Sequence, residues 1–405
     1  MSDLSVLHIL DHSLPLISGY SIRSRDILVA QKAQRLRVAA LTGARHRAVG
    51  PPVEMLDGVV HYRHPTTEIG RRGPGILNLW REVRALADHI VRIARAVQPH
   101  VLHAHSPALN GLAAAIAARR LGLPLVYEVR AFWEDAAVAN GQTQAGSLRY
   151  WFTRALESYV LRRADGVVAI CDGLAQDIAA RGIADKKLQI VPNGTGRHLP
   201  CDPHDQRMIA QELGLGNADV LAFIGSFYAY EGVADLIAAM PLIVAAHPKA
   251  ALVLVGGGPE AGRLRAAAAA SPVADRIHIL SAVPPEAVGR YYALATLLVY
   301  PRRALRLTHC VTPLKPLEAL GMGKAVALSD VGGHRDLVKN DKIAFFFPAA
   351  NPAALADAII AALGDPAERN RRASGGQAYV AAHHDWRQLV RRYDPVYHRL
   401  ATSSA

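Results

Sequence analysis

Four cations and a carboxylate, Arg302, Arg303, Arg306, Lys315 and Glu318, crowd into the opening of PRRALRLTHCVTPLKPLEALGMGKAVALSDVGGHRDLV, residues 301–338. Lys315 precedes Pro316, and a residue before proline is pushed out of the helical region. The spacing therefore predicts a helix starting at Pro316, the first-turn position that proline tolerates best. The free N–H groups that follow Pro316 in the first turn, from Leu317 on, with the positive end of the helix dipole, would then face the loop and suit a phosphate. Glu318 falls in that first turn. A carboxylate beside a phosphate is costly unless it has another task, and accepting hydrogen bonds from ribose hydroxyls is the obvious one. The stretch reads as a site for a nucleoside diphosphate.

Such a loop has to be held by strands. Leu297–Tyr300 precedes it, Lys324–Ser329 follows the helix, and a Gly-Gly turn at 332–333 closes the stretch. Upstream, apolar runs at 220–225, 251–256 and 277–280 alternate with helical segments, the pattern of a parallel sheet. Ligands of such sheets bind beyond the carboxyl ends of the strands. Gly225-Ser226 and Gly256-Gly257-Gly258-Pro259 are glycine-rich exits at that edge; a plain tight turn would explain either alone. With Glu318 they form one coherent cradle.

The N-terminal half repeats the alternation. Leu4–Leu10 is a buried first strand that empties into residues 11–21, where Ser18, Gly19 and Tyr20 stand in a loop and Gly19 would let backbone approach a ligand. An ordinary strand-to-helix turn is the alternative, and no GxGxxG is present to suggest a dinucleotide. A helix over 22–34, a strand over 38–42, a variable Gly/Pro/Arg-rich region to Pro74 and an amphipathic helix over 76–97 follow. The last carries Arg81, Arg84, Arg92 and Arg95, as a solvated face or one turned to a membrane. His103 and His105 alternate on the next strand and share a face; His105, nearer the strand end, is the better active-site candidate. The strand 125–129 runs into Arg130, Trp133, Glu134 and Asp135. Charges there belong in a cleft or in a salt bridge, and a purely structural pairing of Glu128 with Arg130 stays open. A helix over 146–163, strands at 167–171 and 190–194, and a Pro-Asn-Gly turn complete this half.

With 405 residues and 51% hydrophobic content, the chain supports two domains. We place them at 1–197 and 217–383, with a polar linker over 198–216 and a tail over 384–405. Met1–Pro200 holds 25 basic and 16 acidic residues, a net of +9, and the remainder 21 and 18, a net of +3. That excess fits an arginine-rich surface, or attraction to anionic lipid or a lipid-diphosphate acceptor. Nucleic acid is disfavoured, since no helix-turn-helix, zinc-finger or RNP-type pattern occurs. No run of 18 apolar residues predicts a membrane span, and residues 2–10 are too short and polar for a signal peptide. Cys171, Cys201 and Cys310 are odd in number and lack metal-ligand spacing, which points to a reducing cytosol.

Pro316-Leu317-Glu318-Ala319-Leu320 with Gly323-Lys324-Ala325-Val326 and Ser329-Asp330-Val331-Gly332-Gly333 resembles the donor signature of retaining glycosyltransferases of the GT4 family. Residues 10–15 and 19–21, 125–135, 225–228 and 311–316 are similar to the exosortase/PEP-CTERM-associated members. The resemblance implies an α/β GT-B fold, two Rossmann-like domains (acceptor-binding, then nucleotide-sugar-binding) with the active site in the cleft between them and a C-terminal helix, 384–405, that crosses back to the first domain. It implies a metal-independent retaining transferase, without cofactor, that moves a sugar from a nucleotide-diphosphate donor to a glycan or polyprenyl-diphosphate-linked acceptor in surface polysaccharide synthesis. Such an enzyme would sit in the cytoplasm, peripheral to the inner face of the membrane. The donor set expected is Gly225, Ser226, Gly257, Val283, Arg302, Arg306, Lys315, Pro316, Leu317 and Glu318, with the 283–284 loop holding the nucleobase through its backbone. Catalytic candidates are Glu128, Arg130, Asp135 and His105; acceptor candidates are Ser18, Gly19, Tyr20 and Trp133. No metal ligands are expected: there is no DxD, and Asp172 and Asp177 sit at a helix start. Other readings are a GT-B epimerase or hydrolase of the donor, and a non-catalytic sugar-nucleotide binder.

Three regions depart from the family pattern. Arg130 stands where many members have histidine. Ser226 and Glu231 stand where many have an arginine and a lysine that neutralise the diphosphate. Histidine and cysteine, at 309 and 310, occupy the region of a common acidic residue. Arg306 and Lys315, then Arg302, are the cations left to compensate.

Overall fold

The computed structural model describes residues 4–43, 45–46, 51–64, 75–196 and 203–402. Two compact units result: Met1–Gly194 with Trp386–Ala405, and Thr195–Asp385.

The first unit is built on strands β1 (Ser5–Leu10), β2 (Arg37–Thr42), β3 (Val53–Leu56), β4 (Val59–Arg63), β5 (Val101–His105), β6 (Leu125–Val129), β7 (Gly166–Ala169) and β8 (Leu188–Ile190). Among the described residues their order is β3-β4-β2-β1-β5-β6-β7-β8. All pairs are parallel except β3 with β4, which are antiparallel. The central strands β1, β5 and β6 are buried along their whole length, as expected when helices cover both faces of a parallel sheet. The tail joins this unit: Trp386, Tyr393, Val396, Tyr397 and Leu400 pack with Leu4, Val6, Val101, Val126 and Val168. Gly166 makes the docking possible, since a Cβ there would stand 2.7 Å from Val396.

The second unit contains β9 (Asp219–Ile224), β10 (Ala250–Val255), β11 (Ile277–Leu280), β12 (Leu297–Tyr300), β13 (Val326–Ser329) and β14 (Phe345–Phe347), in the order β11-β10-β9-β12-β13-β14, with parallel pairing throughout. Ala229–Ala246 is long and apolar enough to cross a membrane. Leu236, Ile237, Ala239, Met240 and Ile243 within it are buried in the core of this unit, so its apolarity is that of a core helix.

Several local expectations change. The first helix starts at Gly19, not Ile22, because Ser18 caps it by accepting from the Ser21 N–H; Gly19 and Tyr20 are therefore helical. The variable region contains the β3–β4 hairpin, turned at Asp57-Gly58, both with positive φ. Residues 203–212 of the expected linker form a helix that buries Ile209 in the second core, since even a polar segment orders when one apolar residue finds a pocket. Cys201 and residues 197–202 lie outside the described residues. The expected turn at 332–333 instead opens a helix, Gly332–Leu337.

Candidate functional site

In the second unit the helix predicted at Pro316 runs from Lys315 to Gly321, with proline in its first turn. It is seven residues long, too short for a strong macrodipole, so anion binding there falls to side-chain cations and nearby backbone. Arg306 begins another short helix, Arg306–Cys310, and is exposed. Leu317 corrects the donor set: it has no exposed surface and belongs to the core, because a two-turn amphipathic helix must bury one face. Pro316 is buried beside it.

Glu231 organises the cations. It is buried, and its Oε1 lies 2.8 Å from Lys315 Nζ and 3.4 Å from an Arg302 nitrogen. Burial works to raise its pKa, but Lys315 and Arg302 outweigh that and hold it at about 2. Burial in turn lowers the Lys315 pKa, against the pull of Glu231. Arg302 also donates to the Val311 carbonyl (3.1 Å) and is itself buried. It anchors the loop and does not face a donor, which corrects its expected role. Arg303 pairs with Asp235 at 2.8 Å. Two cations against one carboxylate leave one positive charge, and Lys315, 21% exposed, is where it can be reached.

Lys315 lies directly over the β9 exit. A Cβ on Gly225 (φ +138°) would stand 2.3 Å from Lys315 Cε, so only glycine admits this path. Nothing would meet a Cβ on Gly257 within 4 Å, Ser226 is exposed, and Val283 is half-buried. Glu318 is half-buried and its Oε2 accepts from the Tyr292 hydroxyl at 3.2 Å; Tyr300 donates to the Lys315 carbonyl at 3.1 Å. Two buried tyrosines thus fix both ends of the first turn. The structure therefore gathers Lys315, Gly225, Gly257 and Glu318 on one open edge.

The first unit holds the catalytic candidates, and most are sealed. Glu128 has no exposed surface; its Oε1 takes Arg130 Nε at 3.0 Å and Arg23 Nε at 3.2 Å, and its Oε2 accepts from Tyr393 at 2.5 Å. The structural pairing is what is found, and Glu128 as a group touching an acceptor is corrected. Asp135 is likewise buried, in the helix Trp133–Ala139, accepting from Tyr150 at 3.2 Å. That helix turns it inward, so it does not orient an acceptor. His105 is buried too, which removes it as a contact. Arg130 donates to the Tyr20 carbonyl (2.9 Å), Ser24 (2.8 Å) and His105 Nδ1 (2.7 Å), and its guanidinium covers the Tyr20 ring at 4.2 Å.

These bonds fix the tautomers. Arg130 can only donate, so His105 carries its proton on Nε2 and gives it to His8 Nδ1 at 2.9 Å. His8 Nε2 then donates to Gln31 at 2.9 Å, Gln31 to the Tyr397 hydroxyl at 3.1 Å, and Tyr397 to His103 Nδ1 at 2.6 Å. Burial first, then neighbouring charge, holds all three histidines below their ordinary range, His105 at about 4. Ligand atoms of His8, His103 and His105 lie within 4.8 Å of one another. A metal is nonetheless a poor fit. The 103 and 105 rings stack at 4.2 Å, and the His8–His105 contact is already a hydrogen bond.

Ser18, Tyr20 and Trp133 remain at the surface of this unit. Ser18 Oγ bonds His12 at 2.7 Å, the Tyr20 hydroxyl accepts from the Asp11 N–H at 3.0 Å, and Trp133 stacks with Arg45. Arg23, Gln31, Tyr393, Tyr397 and His8 escaped the sequence reading. A histidine inside the apolar run 4–10 and tyrosines four apart in the tail were the available signals.

A profile described as glycosyl transferases group 1 matches residues 205–379, and one described as glycosyl transferase 4-like domain matches 18–194. The chain is 27% identical over 414 residues to D-inositol 3-phosphate glycosyltransferase 1 of Catenulispora acidiphila, covering 97% of this chain and 95% of that protein. It is 28% identical to 2-deoxystreptamine N-acetyl-D-glucosaminyltransferase of Streptomyces fradiae, over 74% of this chain and 70% of that one. Among solved structures, sucrose-phosphate synthase from Thermosynechococcus elongatus superposes with a TM-score of 0.79 at 20% identity, covering 99% of this chain and 100% of that one. HepE from Anabaena, solved with UDP and glucose, gives 0.76 at 18% identity over 98% and 99% of the two chains.

Proposed function

The chain is a GT4-type group 1 glycosyltransferase of the GT-B fold, and from that premise we propose that it transfers a sugar, with retention and without a metal, from a nucleotide-diphosphate donor to a glycan or polyprenyl-diphosphate-linked acceptor. One observation carries the reading: Lys315 folded over Gly225 with Glu318 held by Tyr292 a turn away. This spacing suits a diphosphate at the lysine and ribose hydroxyls at the carboxylate. Lys315 and the exposed Arg306 meet the charge that develops on the leaving diphosphate, with the Arg302–Glu231 pair behind Lys315. The absence of a metal, and of any cofactor, rests on the family resemblance.

The similarity of residues 125–135 and 311–316 to exosortase-associated enzymes supports surface polysaccharide as the destination. Cytoplasmic residence belongs to the same proposal and is supported by the sparse cysteine content, three residues far apart in the sequence. A thermal-shift panel of UDP-, GDP-, dTDP- and ADP-sugars tests the donor, because a ligand that binds only the folded state stabilises it by mass action. One donor should raise Tm, and Glu318→Ala should weaken its binding by about 1.5–3 kcal/mol while leaving the fold stable. An unchanged titration in that variant rejects the assignment of Glu318. Donor consumption without any acceptor would favour the epimerase or hydrolase reading instead.

A further inference from the structure

The helix Leu148–Arg163 is apolar on two sides. Its inner side buries Tyr150, Val160 and Leu161 in the first unit. Its outer side displays Leu148, Trp151, Phe152, Ala155 and Tyr159, a spacing that places them along one helical face. The exposure is large: 90% for Leu148, 56% for Trp151 and 59% for Phe152. Single exposed apolar residues are ordinary, but a contiguous aromatic stripe marks an interaction surface.

The charges beside the stripe are of one sign. Arg149, Arg162 and Arg163 are exposed, with Arg163 lying over the Tyr159 ring at 5.1 Å. The one acidic residue of the helix, Glu157, is buried and bonded to Tyr127. A second exposed apolar pair, Leu77 and Trp80, opens the helix Ile76–Val97, with Arg81 and Arg84 exposed beside it and Arg84 over Trp80 at 5.2 Å. The helix Ala108–Leu121 packs against both of these helices, so all three belong to one layer. The two helices each lead into a parallel strand, β5 and β7, so they run against the strand direction. Both aromatic ends therefore point toward the carboxyl edge of the sheet.

We propose that this face, centred on Trp151 and Phe152, docks the protein on an anionic lipid surface. Tryptophan, phenylalanine and leucine partition into the headgroup boundary, and arginines beside them meet lipid phosphate. The positive charge surrounding the stripe selects a lipid surface over a second copy of this chain, which would bring like charges together. The inference does not depend on the transferase reading, because lipid binding and donor binding are read separately.

The test is co-sedimentation of the full chain with phosphatidylcholine vesicles, with and without phosphatidylglycerol. Binding should require the anionic lipid and fall when salt rises from about 0.1 M to about 1 M, as the screening length drops from about 10 to about 3 Å. Trp151→Ser/Phe152→Ser should weaken it at least about ten-fold. Arg149→Gln/Arg162→Gln/Arg163→Gln should cost about five-fold per arginine. Both variants change outward side chains, so Tm and the donor-induced Tm shift should stay as in the wild type. The proposal is overturned if the wild type ignores anionic vesicles, or if the aromatic variant binds them equally well. It is also overturned if that variant turns a wild-type dimer into a monomer in sedimentation velocity, which would make the stripe an interface between copies.

Discussion

A buried glutamate in each unit, Glu128 in the first and Glu231 in the second, sits between two cations, yet the two clusters are built for opposite ends. Glu128 holds Arg23 and Arg130 and is closed over by Tyr393, while the histidine chain behind it uses nearly every polar atom. Glu231 holds Arg302 and Lys315 beneath a glycine edge, and Lys315 keeps part of its surface in solvent. A buried ion triad with all its bonds made is rigid and has nothing left to offer a ligand. One with an exposed cation can exchange its partner. The second unit therefore presents charge, and the first stores it.

The largest effect expected from this contrast is on stability. Glu128→Ala leaves two buried guanidinium groups without their counter-charge and should cost about 3–5 kcal/mol in urea unfolding. Glu231→Ala should cost clearly less, because Lys315 can swing into water. Equal losses would break the distinction.

Next in size is the effect on turnover. Lys315→Ala should lower kcat about 10²–10³-fold, read as nucleoside diphosphate released at saturating donor, with KM raised far less. Loss of KM alone would show that Lys315 binds the donor without meeting the charge that develops on it.

A smaller effect uses a carboxylate of the first unit that lacks an ion pair. Glu157 accepts from the Tyr127 hydroxyl at 2.7 Å, its other oxygen has no hydrogen bond, and burial pushes its pKa up to about 7. The folded state thus binds this proton more tightly than the unfolded chain. Its contribution to stability is complete below the ordinary glutamate range and is lost as pH rises through about 7. Glu157→Gln, always neutral, should therefore stabilise the protein by up to about 2–3 kcal/mol at pH 8 and hardly at all at pH 4. A gain independent of pH would show that the fold does not raise the Glu157 pKa above its unfolded value.

Much of the architecture was legible in the sequence because it is written in local periods. The apolar runs at 101–105, 125–129 and 297–300, the long helix over 76–97 and the proline-led helix at 316 each depend on residues a few positions apart. The tail's place was legible only through the family resemblance. What the residues of the site do was settled at long range. Glu128 looked like a catalytic candidate that could orient the acceptor at a strand end until Tyr393, 265 positions away, covered it. Glu231 looked like a lost cation, and the fold shows it drawing Lys315 over Gly225. Side-chain type and helical or strand period are properties of neighbours along the chain. Whether a charge is satisfied or available depends on which distant groups the packed strands bring within about 3 Å, and only the tertiary structure decides that.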